Sequence, residues 1–266
     1  MLLRSPSLSA AELYRCWRAR GERPGSQRYN HLHYALMLWL ILAAAVGVRT
    51  LVRPSRHTVF PIFAASADHW WGDHALYQEY PPLDHFRYPP VFALFVTPFS
   101  ALGLLVGGIL WSWTGMAVYV AGLWRFVREV MPAAWTRQRT ALFLMLGALG
   151  ALRGLWNAQS NALIVGLLLI ATGALVRALE GDSRCGAGRR WWLAAWLLAL
   201  PVALKLTPLP PVLLLCALWP RRLAWRFALA MVVLFLVPFL TRPPLVVLEH
   251  YQEWLDHVVE TGNGRW

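Results

Sequence analysis

From Leu32 to Leu240 the chain is a series of apolar runs joined by short, arginine-rich connectors. A run of about 20 apolar residues crosses the hydrocarbon core of a bilayer as a helix, and lipid offers an unpaired backbone group no partner. This alternation restricts the fold to an all-α, polytopic membrane protein. Composition agrees. The chain is 58% hydrophobic and 14% charged, with mean hydropathy +0.46, whereas soluble domains carry far more charge. Sixteen Trp and eighteen Pro suit interfacial anchors and broken membrane helices. A net charge of +12 would suit a nucleic-acid binder, but that function needs a solvated basic face, so no nucleic acid is expected as partner. Apolar runs recurring to about residue 240 exclude secretion on a cleaved signal. The cysteines, Cys16, Cys185 and Cys216, lack zinc-like spacing, so neither a disulfide framework nor a structural metal is expected. No cofactor is expected either, and metal dependence stays open.

Seven spans are predicted. They are Leu32–Val52, Leu102–Trp124, Thr140–Leu152, Asn157–Val176, Trp191–Leu204, Thr207–Trp219 and Phe227–Leu240. Pro89–Phe99 precedes the second and reads as a short helix in the outer leaflet. The alternative, two crossings within Pro89–Trp124, would place the Arg125–Arg139 connector outside. Four segments hold most of the arginine: the tail 1–31, Arg125–Arg139, Arg177–Arg190 and Arg221–Arg226. Together they carry 17 Arg against five acids, which is the whole excess of +12. The positive-inside rule puts these segments in the cytoplasm. The predicted layout is a cytoplasmic basic tail 1–31, a membrane module 32–240 with an outer loop 53–88, and a C-terminal outer loop 241–266. The protein would be a multi-pass cell-membrane protein with its active face extracytoplasmic.

The outer loops hold the chemistry-bearing residues. Asp-His occurs as Asp68-His69, Asp73-His74, Asp84-His85 and Asp256-His257. No two-His spacing is that of a metal site, so an aspartate acting as general base competes with plain solvated carboxylates. Residues 60–77 read as an amphipathic interfacial helix, and Tyr251, Trp254, Leu255 and Val258 give 241–266 a second one. Pro89-Pro90 is a stiff helix entry. Arg87 beside it suits either a phosphate or a lipid headgroup. Asn157-Ala158-Gln159-Ser160-Asn161 puts four polar side chains at the start of a span, where capping accounts for one or two. Gln159 and Asn161 together suggest a polar ligand. Lys205, the only lysine, lies between two apolar runs in Lys205-Leu206-Thr207-Pro208. A cation there requires an anion, water or a headgroup. His250 and His257 follow the last span and are candidates for the same cavity. No nucleotide loop or nucleophile elbow is present.

In this order, Tyr88-Pro89-Pro90, Gln159-Ser160-Asn161, Lys205-Leu206-Thr207-Pro208 and Arg221-Arg222 resemble the family 87 mannosyltransferases of the glycosyltransferase C superfamily. The stretch Ala64–Tyr77, with Gly72 and Leu76-Tyr77, is similar to the small-residue segment of that family. The resemblance runs from about residue 32 to 258. It implies a conserved module of seven spans with interfacial helices in the first and last outer loops. It also implies inverting transfer of a hexose, usually mannose, from a polyprenyl-phosphate sugar to a lipid or glycan acceptor. By position, Lys205, Arg87 and His250 would hold the donor phosphate, and Gln159 and Asn161 the sugar or phosphate, beside Tyr88. The family places a catalytic aspartate soon after the first span. The chain has His57-Thr58-Val59-Phe60 there, so the base would be Asp68, a turn or two further on, or His57. Family members continue with more spans, so the last loop is expected to be truncated. A truncated or degenerate, non-catalytic lipid-binding relative is the alternative. A transporter ranks last, because polar groups gather at one face and no repeat is evident.

Overall fold

The computed structural model describes residues 31–54, 58–72, 74–78, 83–180 and 187–262. These form helices with no strand among the described residues. In chain order they are α1 His31–Val52, α2 Phe60–Gly72, α3 Pro90–Ser100, α4 Gly103–Glu129, α5 Arg137–Trp156 and α6 Asn161–Glu180. There follow α7 Ala187–Leu204, α8 Leu209–Leu218, a π-helical turn Pro220–Ala224, α9 Trp225–Leu236, a 3-10 turn Val237–Leu240 and α10 Pro244–Gly262. Each predicted span has its helix, and the chain is an all-helical, polytopic membrane protein. Among the described residues, four segments are long and apolar enough to cross a bilayer: α1, α4, α6 and the joined Pro220–Leu240. α8 has ten residues, a rise of about 15 Å against a core of about 30 Å. The predicted span Thr207–Trp219 is therefore a shorter helix than expected, because Pro208 and Pro220 delimit it.

The region 89–124 divides as expected into a short helix and a long one. Pro89 caps α3 with extended backbone and Pro90 begins it, so the missing N–H groups cost nothing. Gly103 takes φ +76 at the turn, a conformation glycine adopts without strain. α3 then folds back on α4: a Cβ on Gly107 would sit 2.0 Å from the Phe99 carbonyl oxygen.

α4 is the central element. Gly108, Gly115 and Gly122 recur every seven residues along it, next to Phe60, Leu163 and Gly166 respectively. Small residues at this spacing let helix backbones approach closely, which replaces the hydrophobic drive that lipid cannot supply. α1 and α5 cover another side of α4. Trp39 Nε1 donates to the Leu144 carbonyl at 3.2 Å, and Trp113 Nε1 donates to the Ala43 carbonyl at 3.1 Å. α7 packs against the C-terminal half of α6 and α9 against α7, and α8 joins the same core cluster.

α2, α3 and α10 gather at one end of the bundle. α2 stops at Gly72, short of the predicted residue 77. It buries Phe60, Phe63, Ala64, Ala67 and Trp70 around Trp111 of α4. Trp111 is 3% exposed and meets Phe63 and Phe99 edge-on, each at 5.4 Å. α10 turns Trp254 inward, 6.2 Å from Phe235, and its Tyr251 hydroxyl donates to the Phe235 carbonyl at 2.8 Å. Leu255, predicted on the apolar face, is exposed.

Candidate functional site

The site begins where α5 ends. The Ala158 N–H donates to the Leu155 carbonyl at 3.1 Å, and the Gln159 N–H to the Gly154 carbonyl at 2.9 Å. This pair of bonds is a Schellman cap, whose pivot residue must adopt left-handed backbone. Here the pivot is Ala158, with φ 52, rather than the usual glycine. Two further bonds hold this link. Trp111 Nε1 donates to the Ala158 carbonyl at 2.9 Å, and the Val59 N–H donates to the Asn157 carbonyl at 2.9 Å. The chain therefore enters α6 in a fixed direction, with Ser160 fully buried.

Four of the predicted residues meet at this helix start. Lys205 Nζ donates to Asn161 Oδ1 at 2.9 Å. Asn161 Nδ2 in turn donates to Gln159 Oε1 at 2.9 Å. Lys205 also lies 5.7 Å from the centre of the Tyr88 ring, within cation–π range. The Tyr88 and Ser160 hydroxyls are 3.2 Å apart, and the Tyr77 hydroxyl donates to the Tyr88 carbonyl at 2.8 Å. Tyr88 stacks on Phe92 at 4.3 Å, so the ring beside Lys205 is held rigidly.

Electrostatics converge at the same point. Lys205 follows the C-terminus of α7, whose dipole favours a cation, and α6 presents its N-terminal N–H groups, which favour an anion. Burial pushes the Lys205 ammonium below its usual 10.5. Both tyrosine hydroxyls are kept protonated by burial, Tyr88 raised and Tyr77 raised further. The arrangement can hold an anion at Lys205 and offer amide groups to a polar ligand beside it.

The other predicted residues lie elsewhere. Arg87 pairs with Asp84 at 3.7 Å, both partly exposed, and its charge acts on His257. His250 meets Glu253 at 3.3 Å and the Trp70 ring at 5.7 Å. Asp68 is exposed on α2, and no hydrogen bond or ion pair among the described residues joins it to Lys205. His57 lies outside the described residues. A small, open cleft beside α2 is lined by Ile62, Ser66, His69, Gln78 and Asp84 among others. Burial and then nearby His74 push His69 below its usual 6.5, while Asp68 opposes the shift. Sequence reasoning gave Trp111 no role and named Tyr77 only within the Leu76-Tyr77 pair of the family-like segment. Both read as ordinary aromatic residues until their polar atoms are seen to hold Tyr88 and Ala158.

The fold and this site define a membrane-embedded protein with a cationic cluster of amide-bearing side chains at one end of its helices. Residues 86–265 match the model of glycosyltransferase family 87. The match covers more than half of the chain, which therefore belongs to that family. The matched segment contains Arg87, Tyr88, Gln159, Asn161, Lys205 and His250, and begins after His57 and Asp68. No curated protein matches the chain, and no solved structure does.

Proposed function

We propose that this membrane glycosyltransferase has the glycosyltransferase C architecture and is an inverting hexosyltransferase. It takes its sugar, mannose by family resemblance, from a polyprenyl-phosphate donor. The acceptor is a lipid or glycan at the extracytoplasmic face of the cell membrane. The observation that carries the reading is the Lys205–Asn161–Gln159 chain at the N-terminus of α6. Lys205 and the α6 N–H groups hold the donor phosphate and stabilise the charge that develops on it as the leaving group. Asn161 and Gln159 orient the sugar, with the Tyr88 ring as a wall. Arg87 and His250 are the further candidates for the phosphate. The acceptor hydroxyl attacks the anomeric carbon opposite the phosphate, losing its proton to a base. Asp68 takes that role, with His57 as the other candidate.

The test is transfer of labelled hexose from a polyprenyl-phosphate donor in membranes expressing the chain. Lys205→Ala is expected to weaken donor binding about tenfold or more, in line with loss of a charge-assisted contact. Unchanged affinity would remove Lys205 from the phosphate site. Asp68→Asn is expected to abolish turnover while leaving donor binding intact.

The exposure of Asp68, away from any described contact with Lys205, favours a second reading: a non-catalytic relative that binds the lipid without transfer. Donor binding with no labelled product would select it.

A further inference from the structure

At the far end of α7 from Lys205 the chain builds a second cationic site. Lys205 lies 15 positions beyond Arg190, about 22 Å along the helix axis at 1.5 Å per residue. Arg189 and Arg190 stand in the first turn of α7. Arg221 and Arg222 come from the π-helical turn, and Arg226 from the start of α9. π-helical turns are rare and recur at functional sites. The acids that α4 and α6 bring to this end are Glu129, bonded to Arg177 at 3.2 Å, and Glu180. Five arginines from three elements thus lie at one end of the bundle.

Tryptophan rings hold two of these arginines, Arg222 and Arg226, while Arg190 Nη1 donates to the Arg177 carbonyl at 3.2 Å. The Arg226 guanidinium lies 4.5 Å from the Trp225 ring centre and 5.6 Å from that of Trp192. These two rings meet edge-on at 5.1 Å. The Arg222 guanidinium lies 6.0 Å from the ring of Trp191, which is 2% exposed. The Trp191 indole N–H is buried with no hydrogen-bond partner among the described residues. A freely snorkelling arginine would not be stacked in this way. Arg226 Nη1 also donates to the Arg222 carbonyl, and a guanidinium fixed in this way on an aromatic face is pre-organised to offer its remaining N–H groups to a phosphate, at little entropy cost.

The surroundings decide between a soluble anion and a lipid. Trp225, Leu193, Trp196, Leu218 and Leu229, on α7, α8 and α9, are all exposed. A ligand with an anionic head and long acyl chains matches both surfaces at once, whereas a free phosphate matches one.

We propose that this arginine–tryptophan patch binds the phosphate of an anionic phospholipid in the leaflet at that end of the bundle. The site is distinct from the Lys205 pocket and does not depend on the transferase reading.

The test uses the full purified chain and native mass spectrometry, with phosphatidylglycerol, phosphatidylcholine and inorganic phosphate as probes. Retention of phosphatidylglycerol and not phosphatidylcholine is expected. The double substitution Arg189→Gln with Arg222→Gln changes two exposed side chains, so folding is not at stake. It is expected to weaken retention about tenfold or more, since each arginine near anionic lipid contributes severalfold. Arg226→Lys keeps the charge but loses the planar stack, and is expected to weaken retention as well. Arg137→Gln with Arg139→Gln, which removes two α5 arginines outside the patch, is expected to leave it unchanged. Equal losses from both pairs would reduce the effect to general charge attraction and overturn the site. Displacement of phosphatidylglycerol by millimolar inorganic phosphate would overturn the choice of a lipid.

Discussion

Ala158 shows how a single residue supports the pocket. Its left-handed backbone, φ 52, reverses the chain between α5 and α6 and aims Ser160 at Tyr88. An L-residue there costs about 1–2 kcal/mol. Glycine would relieve this but remove a methyl group worth about 0.8 kcal/mol when buried. Ala158→Gly is therefore expected to change stability by less than about 1 kcal/mol. Ala158→Val adds a β-branched side chain to a strained, buried position, and is expected to cost about 2 kcal/mol or more. Thermal unfolding of the two variants in detergent checks both. If valine were tolerated as well as glycine, the cap would not be constraining the link.

At the scale of elements, the α4–α6 contact governs the bundle. A Cβ on Gly166 would lie 2.7 Å from the Tyr119 Cα and nitrogen, and one on Gly122 would lie 2.5 Å from the Gly166 carbonyl oxygen. Backbone atoms cannot turn aside as a side chain can. Gly166→Ala is thus expected to separate the helices and cost about 3 kcal/mol, at the upper end for overpacking. Because α6 begins at Asn161, the shift should also weaken donor binding. Gly150→Ala is the control, since nothing lies within 4 Å of its added methyl. A Gly166→Ala protein as heat-stable as the Gly150→Ala one would show that α4 and α6 are not in this contact.

The whole molecule should be sensitive to acid through two histidines, His69 on α2 and His257 on α10. His69 and His257 are both held below the usual 6.5, by burial first. Nearby His74 adds to this for His69, and His85 and Arg87 for His257. The folded chain therefore binds fewer protons than the unfolded chain between those depressed values and about 6.5. Stability is full above about pH 6.5 and falls as pH drops through that window. Melting measured from about pH 7.5 to about pH 5.5 is expected to shift downward. The slope should flatten in the double variant His69→Gln with His257→Gln. An unchanged slope would mean these imidazoles titrate alike folded and unfolded.

The sequence by itself determined what depends on local composition and period. The apolar runs specified the helices, Pro89-Pro90 and Gly103 separated α3 from α4, and Asn157–Asn161 marked a polar helix start. Lys205, isolated among apolar runs, was legible as a cation requiring an anionic neighbour. Tertiary structure alone decided which of these polar groups meet. Lys205 and Asn161 are 44 residues apart, and only the packing of α7 on α6 joins them. Arg87 instead pairs with Asp84, three residues before it, and Asp68 lies on an exposed face, although the sequence offered Arg87 for the phosphate and Asp68 as the base. Period and hydrophobicity act over a few residues, so the sequence reveals them directly. A side chain's partner depends on how whole helices approach, and here glycines on α4 and α6 set that distance.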